Sequence, residues 1–172
     1  MLKLKKEIIS IVVIALLILT ITGCKSVVKV HIIYPLYDDL DSMILSADTI
    51  VEGKILSMTV VGSEQEGVLY TVYDVEIITN FKGKFNSKEV IKIKQVGGET
   101  KDLVVTTDER VNLKKDLTYL LFLVTYEDSP ASLINPTQGA YLLEDGKYIE
   151  HNDNKIKINR EILKQRIKEI GN

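Results

Sequence analysis

The chain contains one cysteine, Cys24, which directly follows a long apolar segment. A cysteine sulfur can act as a nucleophile, bind a metal ion or form a disulfide, and its surroundings decide between these roles. Because the sequence has no second cysteine, a disulfide within it is excluded. The residues before Cys24 therefore indicate which chemistry this thiol serves.

The segment before Cys24 has the layout of an export signal. Three lysines among the first six residues precede an apolar run from Ile8 to Ile21. A positive start, about 7–15 apolar residues and then small residues are typical of a signal that is removed during export. Since a membrane-spanning helix needs about 20 apolar residues, we expect residues 1–23 to be a cleaved signal peptide. The rest of the chain is then carried out of the cytoplasm.

Residues Ile21, Thr22, Gly23 and Cys24 resemble the lipobox of bacterial lipoprotein signals, an aliphatic residue and two small residues before a cysteine. The resemblance implies cleavage after Gly23 and transfer of a diacylglyceryl group to the sulfur of Cys24. Two acyl chains anchor a protein stably, at about 0.8 kcal/mol per buried methylene. We therefore expect a protein bound to the extracytoplasmic face of the cell membrane through its N-terminal lipid. The alternatives are an ordinary signal with a buried free cysteine and an uncleaved anchor.

The other residues that could bind a metal ion are scattered. His31 and His151 are the only histidines and lie 120 residues apart, so solvent-facing side chains are expected rather than a zinc site. Asp38, Asp39 and Asp41 have the oxygen ligands that calcium prefers, but the glycine of a calcium loop is missing. We interpret these aspartates as charges at the start of a helix, and we predict neither a metal nor a cofactor.

The sequence shows no catalytic pattern. Its serines do not lie in a G-x-S-x-G nucleophile elbow, and Gly83 and Gly97–Gly98 do not form a phosphate-binding loop. Six tyrosines are expected on strands, where they either stack sugars or bases or lie half-buried. These are Tyr70, Tyr73, Tyr119, Tyr126, Tyr141 and Tyr148.

The charge balance argues against a nucleic-acid partner. The chain carries 22 Lys and Arg against 24 Asp and Glu, for a net charge of −2. Removal of residues 1–23 would take away three lysines and one glutamate and shift the net charge to about −4. Nucleic-acid-binding domains show a basic patch or stripe, so we expect no nucleic-acid partner.

Hydrophobic periodicity predicts one mainly β domain over residues 36–172. Residues 24–35 precede it as the lipidated N-terminus and a tether. The alternation within this tether is equally consistent with a short strand. The expected elements are a short helix within 36–47, strands over 47–61, 68–79, 89–96 and 119–124, a hairpin around Asp145–Gly146, and an amphipathic helix over 158–170. The pattern of this last helix places Ile158, Ile162, Ile167 and Ile170 roughly along one apolar stripe, with Leu163 beside it. The strand at 119–124 is apolar throughout, which is typical of burial on both faces.

The first long strand changes its apolar face between Ile55 and Leu56, near Gly53. Such a slip indicates a bulge or a sharp bend. About five strands with a strongly bent first strand favour a small closed barrel over a flat sheet, because closure removes exposed edges.

Four motifs in this order resemble a known family: Ala47 to Ile55, Tyr73 to Glu76, Asn80 to Gly83 and Tyr119 to Leu123. They resemble the OB-like barrel of netrin-type domains and tissue inhibitors of metalloproteinases, and also many bacterial surface lipoproteins of similar length. The resemblance implies a small OB-like closed β-barrel with a short N-terminal helix and a C-terminal amphipathic helix. Metalloproteinase inhibition is not implied, because it depends on a free N-terminal cysteine and Cys24 would be acylated.

These patterns predict a non-enzymatic, surface-tethered module that binds an envelope protein, peptide or glycan. The alternative is a metal-dependent or hydrolytic enzyme of the cell envelope, which would need a cleft where Asp38, Asp41 and a histidine converge. A third hypothesis, protection of the cell against a secreted toxin, is not distinguished from the first by the sequence.

Overall fold

The computed structural model describes residues 25–63, 65–107, 110–152 and 154–171, so Cys24 and the predicted signal peptide at 1–23 lie outside the described residues. The described part is mainly β, with ten strands and two helices. In chain order the strands are β1 (Ser26–Val30), β2 (Thr49–Ser63), β3 (Val68–Lys82), β4 (Val90–Val96), β5 (Gly98–Glu99), β6 (Leu103–Thr107), β7 (Thr118–Val124), β8 (Ala131–Leu133), β9 (Ala140–Glu144) and β10 (Lys147–Ile149). The helices are α1 (Leu40–Ser46) and α2 (Arg160–Ile170).

Five strands of the larger sheet close into a ring. β2 pairs antiparallel with both β3 and β7, and β3 pairs antiparallel with β4. The short β8 completes the ring by pairing parallel with β4 and antiparallel with β7. β9 and β10 extend the same sheet beyond β7. The predicted mainly β fold is therefore confirmed, and its centre is a five-stranded sheet ring.

The long strand β2 carries the irregularity that its sequence predicts. Its register against β3 shifts between Ile55 and Ser57, and again at two positions nearer its start. A bulge bends a strand and increases its twist, which helps β2 to pair with β7 at its beginning and with β3 along most of its length. Gly53 lies beside one of these shifts, where a Cβ atom would come within 2.4 Å of the Val75 side chain. The bulge prediction is confirmed.

Strand β7 separates two hydrophobic cores. Tyr119, Leu121 and Leu123 belong to an inner core formed by the ring strands. Leu120 and Phe122 belong to an outer core, which the two helices cover. All five side chains are buried, so the predicted burial on both faces is confirmed.

The helices begin at polar caps. Asp39 accepts a hydrogen bond from the backbone N–H of Ser42 at 2.8 Å, and this fixes the start of α1 within the predicted range 36–47. α2 buries Leu163, whereas Ile162 is 47% exposed. The prediction that Ile162 lies on the apolar stripe was therefore wrong, because a rotation of about 100° per residue turns it away when Leu163 faces the core. Among the described residues, the helices are too short or too polar to cross a membrane.

Residues 26–30, predicted as a tether or a short strand, form β1. This strand pairs parallel with β6, and β5 extends the same small sheet. The backbone N–H of Ser26 donates to the carbonyl of Asp102 at 2.9 Å. Strand β1 therefore begins two residues after Cys24 in the sequence.

Candidate functional site

Two of the aspartates that the sequence offers as cation ligands have structural roles. Asp39 caps α1, as described above, which agrees with its interpretation as a helix-start charge. Asp41 accepts two hydrogen bonds from the guanidinium of Arg166 on α2, one of them at 2.7 Å, and so links the two helices. Hydrogen bonding to Arg166 holds the pKa of Asp41 below its usual value. Asp38 is exposed beside the cap.

The two histidines do not join these acids. His31 is exposed, as expected, and lines an open depression beside Ile33 and Leu36. His151 follows β10 and is half-buried rather than solvent-facing. Within residues 25–63, 65–107, 110–152 and 154–171, no group of three or more His, Cys, Asp or Glu side chains is placed to hold a metal ion. The convergence of Asp38 and Asp41 with a histidine is thus not seen in this part of the chain.

The six tyrosines that were predicted on strands divide into a buried group and a cleft group. Tyr73 and Tyr119 lie in the inner core, and Tyr141 and Tyr148 lie in the outer core. The remaining two, Tyr70 and Tyr126, line a surface cleft together with Tyr34. Tyr126 follows the end of β7 by two residues and is not on a strand, contrary to the prediction.

This cleft lies over the outer face of β3, β4 and β8. Alternation along β4 turns Ile93 into the inner core and Lys94 away from it. Tyr70 is opposite Val96 in the register of β3 and β4, and Ser132 is opposite Lys94 in the register of β4 and β8. The cavity volume is about 240 Å³. An engineered cavity of about 150 Å³ holds benzene, so the cleft has room for a larger group.

Two cations contribute to the cleft walls. The Lys94 ammonium donates to the Ser129 hydroxyl at 2.5 Å and lies 5.2 Å from the centre of the Tyr126 ring. This ring distance is within the range of a cation–π interaction. Arg110 donates from Nη1 to the backbone carbonyl of Val96 at 3.0 Å. Neither cation forms an ion pair with a carboxylate among the residues that the structure describes.

A glycine makes room for the guanidinium. Gly97 has φ of +102°, a left-handed conformation that residues with a Cβ rarely adopt. A Cβ atom at this position would lie 3.1 Å from Nη1 of Arg110 and 2.9 Å from the carbonyl oxygen of Val105. Gly97 therefore permits both the turn after β4 and the approach of Arg110 to Val96.

Tyr34 supplies a neutral hydroxyl to the cleft. Burial, and secondarily the neighbouring Tyr70 phenol, raise the pKa of Tyr34 above its usual value. Its hydroxyl stays protonated at neutral pH and can both donate and accept a hydrogen bond. The cleft thus combines aromatic surface, hydroxyls and two positive charges, groups that can make favourable contacts with an anion.

Comparison with protein-family models, curated proteins and solved structures finds no match to this chain. The resemblance to netrin-type barrels therefore stays a prediction.

Sequence reasoning did not single out three residues of the cleft: Tyr34, Lys94 and Arg110. The outward direction of Lys94 follows from its alternation with Ile93, so a period of two in the sequence contains that signal. Arg110 follows β6 in a stretch without periodicity. Only the folded arrangement shows that Arg110 reaches the end of β4.

Proposed function

We propose that this protein is a non-enzymatic binding module, anchored by a lipid on Cys24 to the extracytoplasmic face of the cell membrane. Residues 1–23 are removed as a signal peptide in this proposal. Its ligand is an envelope protein, peptide or glycan, and the cleft lined by Tyr34, Lys94 and Arg110 is the binding site. The observation that carries the proposal is this cleft, with its three tyrosines and two cations.

We further propose that the five-stranded ring is an OB-like closed barrel. The order of the ring is β2–β3–β4–β8–β7, with β4 and β8 parallel. OB-type barrels have five strands and bind their ligands on the face of the second and third strands. The cleft lies on the outer face of β3 and β4, which are the second and third strands of this ring. The position of the cleft therefore supports a role in binding.

The proposed anchor would hold the domain close to the bilayer. An extended residue spans at most about 3.6 Å, so a lipid on Cys24 lies within about 10 Å of Ser26, the first residue of β1. This differs from a flexible tether of ten residues, which reaches about 35 Å. A short connection of this kind suits a module that binds its partner near the membrane surface.

Binding is tested with the full-length chain in detergent, applied to arrays of short peptides and of envelope glycans. We expect at least one saturable ligand whose binding is weakened by Arg110→Gln. Lys92→Gln is the matched control, since Lys92 lies on β4 but pairs with Asp74 at 2.6 Å instead of lining the cleft. If no peptide and no glycan binds saturably, the proposed binding function is refuted.

Anchoring is tested separately by replacing Cys24. The Cys24→Ala protein should leave the membrane fraction or persist as an uncleaved precursor, since no sulfur remains to accept the lipid. Unchanged mobility and unchanged fractionation would contradict the anchor while leaving the binding experiment unaffected.

A further inference from the structure

The cleft adjoins the depression that contains His31, and the two form one surface with two chemical zones. They share Tyr34, Thr107 and Pro136 among their lining residues. The cleft presents cations and hydroxyls. The depression presents Ile33 and Leu36, which are 89% and 80% exposed.

The cleft is positive on a chain whose net charge is −2. Among the residues that the structure describes, its lining includes Lys94 and Arg110 but neither Asp nor Glu. Lys94 contacts the Ser129 hydroxyl and the Tyr126 ring, which are neutral groups. Arg110 donates to a backbone carbonyl, which is also neutral. Lys92, two residues before Lys94, is instead neutralised by Asp74. The charges in the cleft therefore favour an anionic ligand.

The hydrogen-bonding groups distinguish an anion from a neutral sugar. The bond to Val96 uses one of the five N–H donors of Arg110. Two of the remaining donors can form parallel hydrogen bonds with the two oxygens of a carboxylate. A neutral sugar hydroxyl can also accept from these two cations, but it carries no negative charge, whereas a carboxylate forms charge-assisted hydrogen bonds with them. A carboxylate needs only donors, so it fits the two cationic side chains better.

The exposed apolar residues beside the cleft favour a peptide as the carrier of that carboxylate. Tyrosine and arginine are the residue types that concentrate binding energy at protein interfaces. Ile33 and Leu36 offer an apolar surface next to them. A peptide can place a carboxylate and a bulky apolar side chain on neighbouring residues, about 3.5 Å apart along the chain.

We infer, on the basis of the proposed function, that this surface binds a peptide segment with a carboxylate next to a large apolar side chain. The carboxylate enters the cleft and contacts Arg110 and Lys94. The apolar side chain packs on Ile33 and Leu36. The carboxylate comes either from an acidic side chain or from the end of the partner chain, and the probes below separate these two sources.

The probes are fluorescent, N-acetylated peptides that are measured by anisotropy with the full-length protein in detergent. One pair has a Leu-Asp-Leu or a Leu-Asn-Leu centre and an amidated end. A second pair ends in Leu-Leu with either a free or an amidated terminus. At low salt we expect the carboxylate member of at least one pair to bind about tenfold more tightly than its amide counterpart, as loss of a charge-assisted hydrogen bond implies. Its affinity should fall as the salt concentration rises.

The variants assign the binding to this surface. Arg110→Gln and Lys94→Gln should each weaken the preferred carboxylate peptide by about tenfold and leave its amide counterpart unchanged. Ile33→Ser should weaken both members of the pair, because it removes the apolar contact. Lys92→Gln should change neither. Circular dichroism checks that each variant is folded, and Arg110→Lys, which keeps the charge but loses the fork, should retain part of the preference.

Equal binding of the carboxylate and amide peptides would overturn the inference. So would carboxylate binding that does not change in Arg110→Gln and Lys94→Gln. If no peptide binds but an envelope glycan binds in an Arg110-dependent manner, the peptide inference fails and the proposed binding function stands. If neither peptides nor glycans bind saturably, both fail.

Discussion

Replacement of Arg160 by methionine tests how the C-terminal helix is held to the ring. Glu52 on β2 is 1% exposed, and its carboxylate accepts hydrogen bonds from the Tyr148 hydroxyl on β10 and from the guanidinium of Arg160 on α2. Burial and the hydrogen bond to Glu52 raise the pKa of Tyr148 above its usual value, so it remains a donor. Arg160→Met keeps an aliphatic stem but leaves a buried carboxylate without its counter-charge.

The expected loss of stability follows from the burial of the two partners. Removal of one member of a buried ion pair destabilises a protein by about 3–5 kcal/mol. The Arg160 side chain is 35% exposed and Tyr148 still donates to Glu52, so we expect about 2–3 kcal/mol. One kcal/mol shifts the Tm of a domain of about 150 residues by about 2–4 °C, so the Tm of Arg160→Met should fall by roughly 5–10 °C.

Thermal and urea unfolding of the full-length chain, followed by circular dichroism, measure this change. The control is Lys92→Met, which breaks a pair with Asp74 in which the lysine is 62% exposed; its effect should stay below about 1 kcal/mol. The double variant Glu52→Gln/Arg160→Met should be more stable than Arg160→Met alone, because it no longer buries an unpaired charge. If Arg160→Met is as stable as the Lys92→Met control, this account of the buried pair is wrong.

Three further substitutions test other contacts. Because Arg166 lowers the pKa of Asp41, this aspartate stabilises the fold above its usual pKa and ceases to do so as the pH falls through its lowered pKa. Asp41→Asn should therefore lower the Tm at pH 7 but converge with the parent chain as the pH falls below the lowered pKa of Asp41; a constant difference would contradict this. Gly53→Ala should destabilise the chain by about 1–3 kcal/mol in urea, because its Cβ would lie 2.4 Å from Val75; an unchanged midpoint would argue against the tight approach. Lys82 donates to two carbonyls at the end of α1, both at 2.7 Å, so Lys82→Met should cost about 2 kcal/mol, and equal urea midpoints would exclude a stabilising role.

Local patterns predicted the strands that are governed by their own periodicity. The apolar run at 119–124 correctly indicated a strand buried on both faces, because such a strand needs no alternation. The Asp145–Gly146 pair predicted the hairpin of β9 and β10, where both residues adopt positive φ. The slip at Ile55 was visible because a bulge leaves one residue out of phase.

The residues that depend on distant contacts were not predictable in this way. Glu52 alternates with apolar neighbours like any exposed strand residue, and its burial depends on Tyr148 and Arg160, about 100 residues later in the chain. The parallel pairing of β1 with β6 has no signal in either segment. The cleft unites Tyr34 with Arg110 for the same reason, since these residues follow β1 and β6, whose parallel pairing brings their ends together.

Intact-mass spectrometry of the native protein, purified from the cells that make it, tests the proposed anchor most directly. The proposed function predicts a chain that begins at Cys24 and carries a diacylglyceryl group on its sulfur. A chain that retains residues 1–23, or that begins at Cys24 with an unmodified thiol, would contradict it.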